Sequence, residues 1–143
     1  MHSYALAVGI AATSLTTAAP ASAGTSNPCA LVTTADASTA MGVTSLPGKP
    51  HTSRHASSCR FYSADHKKNV FVQTLDADDM AGAAQIGGKS VPGIGDKALW
   101  IAGSMYVKKG GNYMQVGLYL KPESMKTMDP AIIPLSKTVA GRM

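Results

Sequence analysis

The two cysteines, Cys29 and Cys59, are the most reactive side chains in the sequence. Lipid attachment at Cys29 would need an apolar, small-residue lead-in, but residues 25–28 are Thr-Ser-Asn-Pro. A nucleophilic thiol would need an activating base, and although His55 is near Cys59 in sequence, no signature of a cysteine enzyme surrounds it. An even number of cysteines in a chain with an export signal, described below, indicates a disulfide. We therefore expect a bridge between Cys29 and Cys59.

Histidine and methionine supply the side chains that could bind a metal. His51 and His55 are four residues apart, but a stretch rich in Pro, Gly and Ser surrounds them, so we expect exposed loop residues. The eight methionines include Met125 and Met128, and thioethers are soft ligands that suit Cu(I). Other methionines fall on predicted core faces, where methionine is an ordinary packing residue: Met80, Met105 and Met114. We expect no metal site, with an exported Met/His copper-binding protein as the alternative.

Side-chain patterns typical of catalysis are missing from the sequence. Asp76, Asp78 and Asp79 fall at the start of a predicted helix, which explains their charge, and no EF-hand spacing follows them. The sequence contains no G-x-S-x-G, no H-E-x-x-H and no phosphate-binding loop. Glu123 is the only glutamate, so a paired-carboxylate hydrolase would need aspartates far apart in the chain. We predict no catalytic residues and no cofactor; an enzyme with an unrecognised site is a third hypothesis.

The first 23 residues are typical of a targeting sequence. Residues 4–12 form an apolar run broken only by Gly9, and residues 21–23 are Ala-Ser-Ala, a small-residue cleavage pattern. The apolar run is far shorter than the roughly 20 residues that span a bilayer. We predict cleavage after Ala23, one secreted or periplasmic domain over residues 24–143, and no stable membrane anchor after cleavage.

The charge of the chain is moderately basic. Thirteen Lys and Arg residues against eight Asp and Glu residues give a formal net charge of +5. The basic residues are spread out, with only two adjacent pairs, at residues 67–68 and 108–109. This pattern indicates a solvated surface rather than a nucleic-acid patch. We expect no nucleic-acid partner, and the oligomeric state stays open.

Capping residues predict three helical regions. Asn27 and Pro28 open a short N-terminal helical turn, and Thr33 or Thr34 caps a helix over residues 34–41. A central helix is predicted over residues 76–86. Asp129 and Pro130 open a C-terminal helix to about residue 140, which Pro134 either kinks or delays.

Alternating apolar residues and turn signals predict the strands. A short edge strand is expected at residues 44–46, and the other predicted strands cover residues 58–63, 69–75, 97–102, 105–109 and 113–120. Hairpin connections make the sheet mostly antiparallel. We therefore predict an α+β fold, in which a sheet of about five to six strands packs with N-terminal, central and C-terminal helices.

Three segments resemble small secreted bacterial proteins of unknown function of the DUF3558 group. They are Asn-Pro-Cys-Ala-Leu-Val-Thr-Thr-Ala-Asp at residues 27–36, Cys-Arg-Phe-Tyr at 59–62, and Val-Pro-Gly-Ile-Gly-Asp-Lys-Ala at 91–98. The resemblance continues through residues 106–110 and the C-terminal helix. It implies a sheet covered by helices, as in Mog1 or PsbP domains, with Cys29 paired to Cys59. The chain departs from the lipoprotein members because it lacks a lipidation cysteine, and the family brings no catalytic residues.

Aromatic residues are the candidate binding residues. Tyr106, Tyr113 and Tyr119 fall on one face of the predicted sheet, and Trp100 is expected nearby. A solvent-facing aromatic strip is typical of a binding surface, whereas a second layer of helices would bury it. Our first hypothesis is an exported, non-enzymatic domain that binds a protein or a cell-envelope component through this face.

Overall fold

The computed structural model describes residues 27–143, and the predicted signal peptide lies outside them. Over these residues the chain forms one seven-stranded antiparallel sheet and four α-helices, which confirms the predicted α+β fold. The elements in chain order are α1 (Pro28–Leu31), α2 (Thr34–Met41), β1 (Lys49–Thr52), β2 (Ser57–Tyr62), β3 (Asn69–Leu75), α3 (Ala77–Gln85), β4 (Lys89–Ser90), β5 (Lys97–Ile101), β6 (Ser104–Lys109), β7 (Asn112–Tyr119), a 3-10 helix (Pro122–Met125) and α4 (Ile132–Arg142).

The sheet is built from two groups of consecutive strands that meet at its centre. Its strand order is β1-β2-β3-β7-β6-β5-β4. The central pair, β3 and β7, runs from Asn69 opposite Tyr119 to Leu75 opposite Tyr113. Helix α3 connects β3 to the far edge strand β4 and packs on β5 and β6.

The edge strands differ from the prediction. Residues 44–46 make only a single bridge, between Ser45 and Ser63, and the edge strand is β1 instead. Pro50 lies within β1, which an edge strand tolerates because one side of its backbone makes no ladder hydrogen bonds. At the other edge, β4 has two residues, too few to leave a periodic pattern in the sequence. These two strands raise the number from the predicted five or six to seven.

The inner face of the sheet is the face covered by α1, α2 and α4. Helix α1 packs on β1, β2 and β3, α2 packs on β3 and β7, and α4 packs on β6 and β7. Alternate strand residues point into this layer and form the main core: Cys59, Phe61, Val70, Val72, Ala98, Trp100, Met105, Val107, Met114, Val116 and Leu118. Burial of this apolar surface stabilises the fold by about 25 cal/mol per Å².

The disulfide between Cys29 and Cys59 fastens α1 to this core. Its two Cα atoms are 5.0 Å apart, and Cys59 is completely buried on β2. The bridge spans a sequence separation of 30 residues. Loop closure of that length removes chain entropy from the unfolded state worth about 3.5 kcal/mol.

Reciprocal caps open the two longer helices of the first half. The Oγ1 of Thr33 accepts the N–H of Asp36, whose carboxylate accepts the N–H of Thr33. Asp76 and Asp79 make the same pair of bonds at α3. Carboxylates in the first helical turn also interact favourably with the helix dipole. The acidic cluster at residues 76–79 therefore caps a helix, as predicted.

The C-terminal helix starts later than predicted. Asp129 accepts the N–H of Ala131, and α4 begins at Ile132. Pro134 is thus the third helical residue, where the backbone N–H would have no intrahelical partner in any case. The proline delays the helix, the second of the two outcomes considered.

An ion pair ties the end of α4 to α2. Arg142 donates to the carboxylate of Asp36 and to the carbonyl of Leu31. Burial raises the pKa of Asp36, but hydrogen bonds from Arg142 and Thr33 outweigh this effect and hold that pKa below its usual value. The carboxylate is therefore charged at neutral pH and pairs with the guanidinium.

Two buried serines, one in α4 and one in the 3-10 helix, allow a matched test of the packing. The Oγ of Ser136 is fully buried and has no hydrogen-bond partner among the described residues. We expect Ser136→Ala to raise the free energy of unfolding by about 1 kcal/mol, because an unsatisfied hydroxyl leaves the core and alanine favours the helix. Urea unfolding of the oxidised protein measures the change.

Ser124→Ala is the control for that measurement. Its Oγ accepts the N–H groups of Leu120 and Lys121, at 3.2 and 3.3 Å. This variant should lose about 1 kcal/mol of stability. Equal destabilisation by both substitutions would contradict the account, since it would mean that the Ser136 hydroxyl has a partner.

Candidate functional site

The outer face of the sheet is only partly covered. Met80 and Ala83 of α3 pack on Leu99 in a small second core, with Ile101, Tyr106 and Tyr113 packed around it. This helix reaches β5 and β6. Most of the outer surface of β1, β2, β3 and β7 therefore has no helix over it in the described part of the chain.

An apolar groove, the outer groove, lies where α3 ends. It is an open depression of about 360 Å³ between the end of α3, the β5–β6 turn and the 3-10 helix. Its lining residues are Phe71, Ile86, Ile101, Ala102, Gly103, Ser104, Tyr106, Gln115, Leu118, Tyr119 and Met125. Two of them are unusually exposed for large apolar side chains: Ile86 is 75% exposed and Met125 is 49% exposed.

Phe71 is held in the groove by a glycine on the neighbouring strand. Gly117 lies opposite Phe71 in the β3–β7 pair. A Cβ at position 117 would approach the Phe71 ring to 1.9 Å, so only glycine leaves room for the ring over β7. On its other side, the guanidinium of Arg60 lies 4.9 Å from the ring centroid, in a cation–π contact. Sequence alternation therefore puts Phe71 on the outer face, and Gly117 determines where the ring lies.

The rim residue Met125 is placed by a tight turn. Ala102 and Gly103 adopt positive φ angles of 47° and 80° between β5 and β6. A Cβ at Gly103 would meet the Met125 Sδ at 3.0 Å and the Ser124 carbonyl at 3.1 Å. The 3-10 helix thus packs directly against this turn, and Met125 lies beside the groove.

Polar groups within the groove are few. The side-chain amide of Gln115 donates to the Oγ of Ser104, 3.1 Å away, so these two polar groups satisfy each other. Burial and the nearby charge of Asp79 raise the pKa of Tyr106, whose hydroxyl stays neutral at physiological pH. The groove thus offers apolar surface and neutral hydrogen-bonding groups, without an ionised nucleophile or base.

The predicted aromatic residues are divided between the two faces. Tyr106 and Tyr119 line the outer groove. Tyr113 shares the outer face but packs beside α3, with the Lys108 ammonium 5.8 Å from its ring centroid. The expected position of Trp100 beside the tyrosines is wrong: its strand partner is Met105, and it lies in the main core, 7% exposed. The register of β5 against β6 puts Leu99 and Ile101 on the outer face, and strand alternation then points Trp100 to the inner face.

The large apolar residues of the groove, among them Phe71, Ile86 and Met125, were not predicted as binding residues. Alternation along the strand at residues 69–75 puts Phe71 on one face, but nothing in the sequence shows which face the helices cover. Ile86 directly follows α3, and Met125 is the last residue of the 3-10 helix. The exposure of both side chains therefore depends on tertiary packing. An apolar residue directly before Gly87-Gly88 was the available signal for Ile86.

The candidate metal ligands remain apart. The described residues contain no group of three or more His, Cys, Asp or Glu side chains able to hold a metal. His51 and His55 are exposed, and Met125 and Met128 line different cavities. Several other methionines are buried packing residues: Met41, Met80, Met105 and Met114. The copper-binding alternative stays untested.

A second cavity borders the inner face at the β4 edge. Trp100 lines it together with Lys89 and Lys126, and the Lys89 ammonium is 5.9 Å from the indole centroid. The indole N–H is buried without a partner among the residues described. Because that N–H has almost no accessible surface, a molecule in this cavity would not reach it.

Comparison with known proteins identifies no relative of this chain. No protein family, no curated protein and no solved structure matches the chain. The resemblance to the DUF3558 group stays a prediction. Among the helices that the structure describes, none is long and apolar enough to cross a membrane.

The Phe71–Gly117 contact can be tested by a double-mutant cycle. Gly117→Ala should lower the free energy of unfolding by about 1–3 kcal/mol, because its Cβ and the Phe71 ring compete for one space. In a Phe71→Ala background the same substitution should lower the free energy of unfolding by much less. Denaturant unfolding of the four proteins gives the interaction free energy between positions 71 and 117.

Gly82→Ala is the matched control for that cycle. Gly82 lies in α3, and a Cβ there meets nothing within 4 Å. Alanine should raise stability there by about 1 kcal/mol, as in other helices. Additive effects of Gly117→Ala and Phe71→Ala would show that the ring does not rest on the glycine.

Proposed function

We propose that this protein is a non-enzymatic binding module whose outer groove takes apolar side chains of a partner protein. One observation carries the proposal. Among the described residues three large apolar side chains are exposed, Val43, Ile86 and Met125, and two of them flank the outer groove. Exposed apolar surface costs solubility, so its concentration around one depression favours a binding site.

The shape of the groove favours a protein segment over an enclosed small ligand. Small-molecule sites usually bury most of their ligand in a closed pocket. The outer groove is open along the sheet, and its aromatic residues, Phe71, Tyr106 and Tyr119, offer the kind of surface that anchors a partner's side chains.

Export is the second part of the proposal. A Cys29–Cys59 bridge is stable in an oxidising compartment, and this supports a secreted or periplasmic protein. The partner would then be an exported or envelope protein. The formal charge of +5 opposes self-association, because a second copy would bring the same net positive charge to the contact.

Selection of short random peptides on the folded protein tests the groove. Peptides enriched on the wild type should carry two or more apolar residues. The double variant Ile86→Ser/Met125→Ser should bind them about tenfold more weakly or worse, since it removes the apolar rim. Both side chains are largely exposed, so the free energy of unfolding should change by no more than about 0.5 kcal/mol per substitution.

Val43→Ser provides the matched control. Val43 is the third exposed apolar side chain, 38% exposed, and it does not line the outer groove. Its replacement should leave peptide affinity unchanged. Peptides that bind the double variant as well as the wild type would refute the groove as the binding site, and so would a selection that enriches none.

A further inference from the structure

The strands that the structure describes carry basic residues but no acidic ones. In the described part of the chain, the strands contain none of the eight acidic residues. They contain six of the 13 basic residues: Lys49, Arg60, Lys89, Lys97, Lys108 and Lys109. Every carboxylate therefore belongs to a helix, a turn or a loop.

Two of these cations lie in line with the outer groove. One cross-strand row of outer-face residues runs from Lys49 through Arg60, Phe71, Gly117 and Ser104 to Ile101. Its last four members belong to the groove or support it, and its first two continue the same line to the edge of the sheet. Adjacent strands are about 4.8 Å apart, so the row spans about 24 Å, the length of roughly seven extended residues.

The cationic end of the row has no compensating charge. The one salt bridge among the described residues joins Arg142 to Asp36, on the opposite side of the sheet, so Lys49 and Arg60 have no carboxylate within bonding distance. At the other end of the face, the first turn of α3 brings Asp79 close enough to act on Tyr106. Two other strand cations, Lys97 and Lys108, share the outer face but lie on β5 and β6, the strands that α3 contacts. Lys49 and Arg60 are the strand cations on the β1 side of the groove, where Arg60 lies over the Phe71 ring.

We infer that the partner segment is acidic as well as apolar: its apolar side chains occupy the outer groove and its carboxylates pair with Lys49 and Arg60. This inference rests on the proposed function and specifies the partner's chemistry. Charge complementarity at the rim of an interface raises the association rate and selects among partners. A basic or neutral apolar segment would fill the groove but leave both cations unpaired.

The test repeats the peptide selection on the wild type and on the Lys49→Gln/Arg60→Gln variant. Peptides enriched on the wild type should carry Asp or Glu beside their apolar residues. The dissociation constant of the leading peptide should rise about threefold for each lost cation, and about tenfold for both, in line with exposed ion pairs. Replacing its acidic residues with Asn and Gln should produce a similar loss, and added salt should weaken only the acidic form.

Two single variants separate charge from packing. Arg60→Lys keeps the charge but loses the planar group over Phe71, and it should retain more of the peptide affinity than Arg60→Gln. Lys137→Gln removes an exposed cation from α4, on the covered side of the sheet, and should have no effect.

The outcomes distinguish this inference from the groove itself. The inference of an acidic partner fails if groove-dependent peptides lack acidic residues. It also fails if they bind the Lys49→Gln/Arg60→Gln variant with unchanged affinity. Either result leaves the groove itself as the proposed binding site. Failure to obtain any groove-dependent peptide overturns both. Co-sedimentation of the wild type, but not of the Lys49→Gln/Arg60→Gln variant, with phosphatidylglycerol vesicles in the absence of peptide binding would assign the cations to a membrane surface. A dimer in analytical ultracentrifugation that the Ile86→Ser/Met125→Ser variant abolishes would assign the groove to a second copy.

Discussion

The structure depends on a mismatch between the width of the sheet and the number of helices available to cover its outer face. Seven strands spaced about 4.8 Å apart make a sheet about 29 Å wide. Three helices, α1, α2 and α4, cover the inner face. On the outer face α3 is the one α-helix among residues 27–143, and its nine residues extend only about 14 Å. One short helix cannot bury such a surface, so part of it meets solvent and the outer groove begins where the helix stops.

The uncovered surface is nonetheless organised by specific contacts. Gly117 leaves space for the Phe71 ring, and Arg60 lies over the other side of that ring. The β5–β6 turn brings the 3-10 helix to the groove, and Met125 with it. The groove supplies apolar residues near the centre of the face, and Lys49 and Arg60 lie between it and the β1 edge. These two cations beside an apolar groove are the basis for proposing an acidic, apolar partner segment.

Much of the architecture could be predicted from local sequence signals. The helix over residues 34–41, the strand at residues 69–75 and the pairing of the two cysteines each depend on a short pattern or a simple count, and the structure confirms them. The edge strands were misplaced or missed, because β1 contains Pro50 and is exposed throughout, and β4 has only two residues, so neither shows the apolar alternation of a strand. The site was predicted in part: alternation put Tyr106, Tyr113 and Tyr119 on one face but could not show where α3 would pack. Trp100 was placed among them because the register of β5 against β6 was not available from composition.

Backbone amide chemical shifts, followed by NMR while a peptide selected on the folded protein is added, show where the partner segment binds. We expect the perturbed amides to cluster on β3 and β7, in the β5–β6 turn around residues 101–104, and in the 3-10 helix. Perturbations centred on α2 and α4, or on the loop between β1 and β2, would contradict this expectation, because those residues lie outside the outer groove.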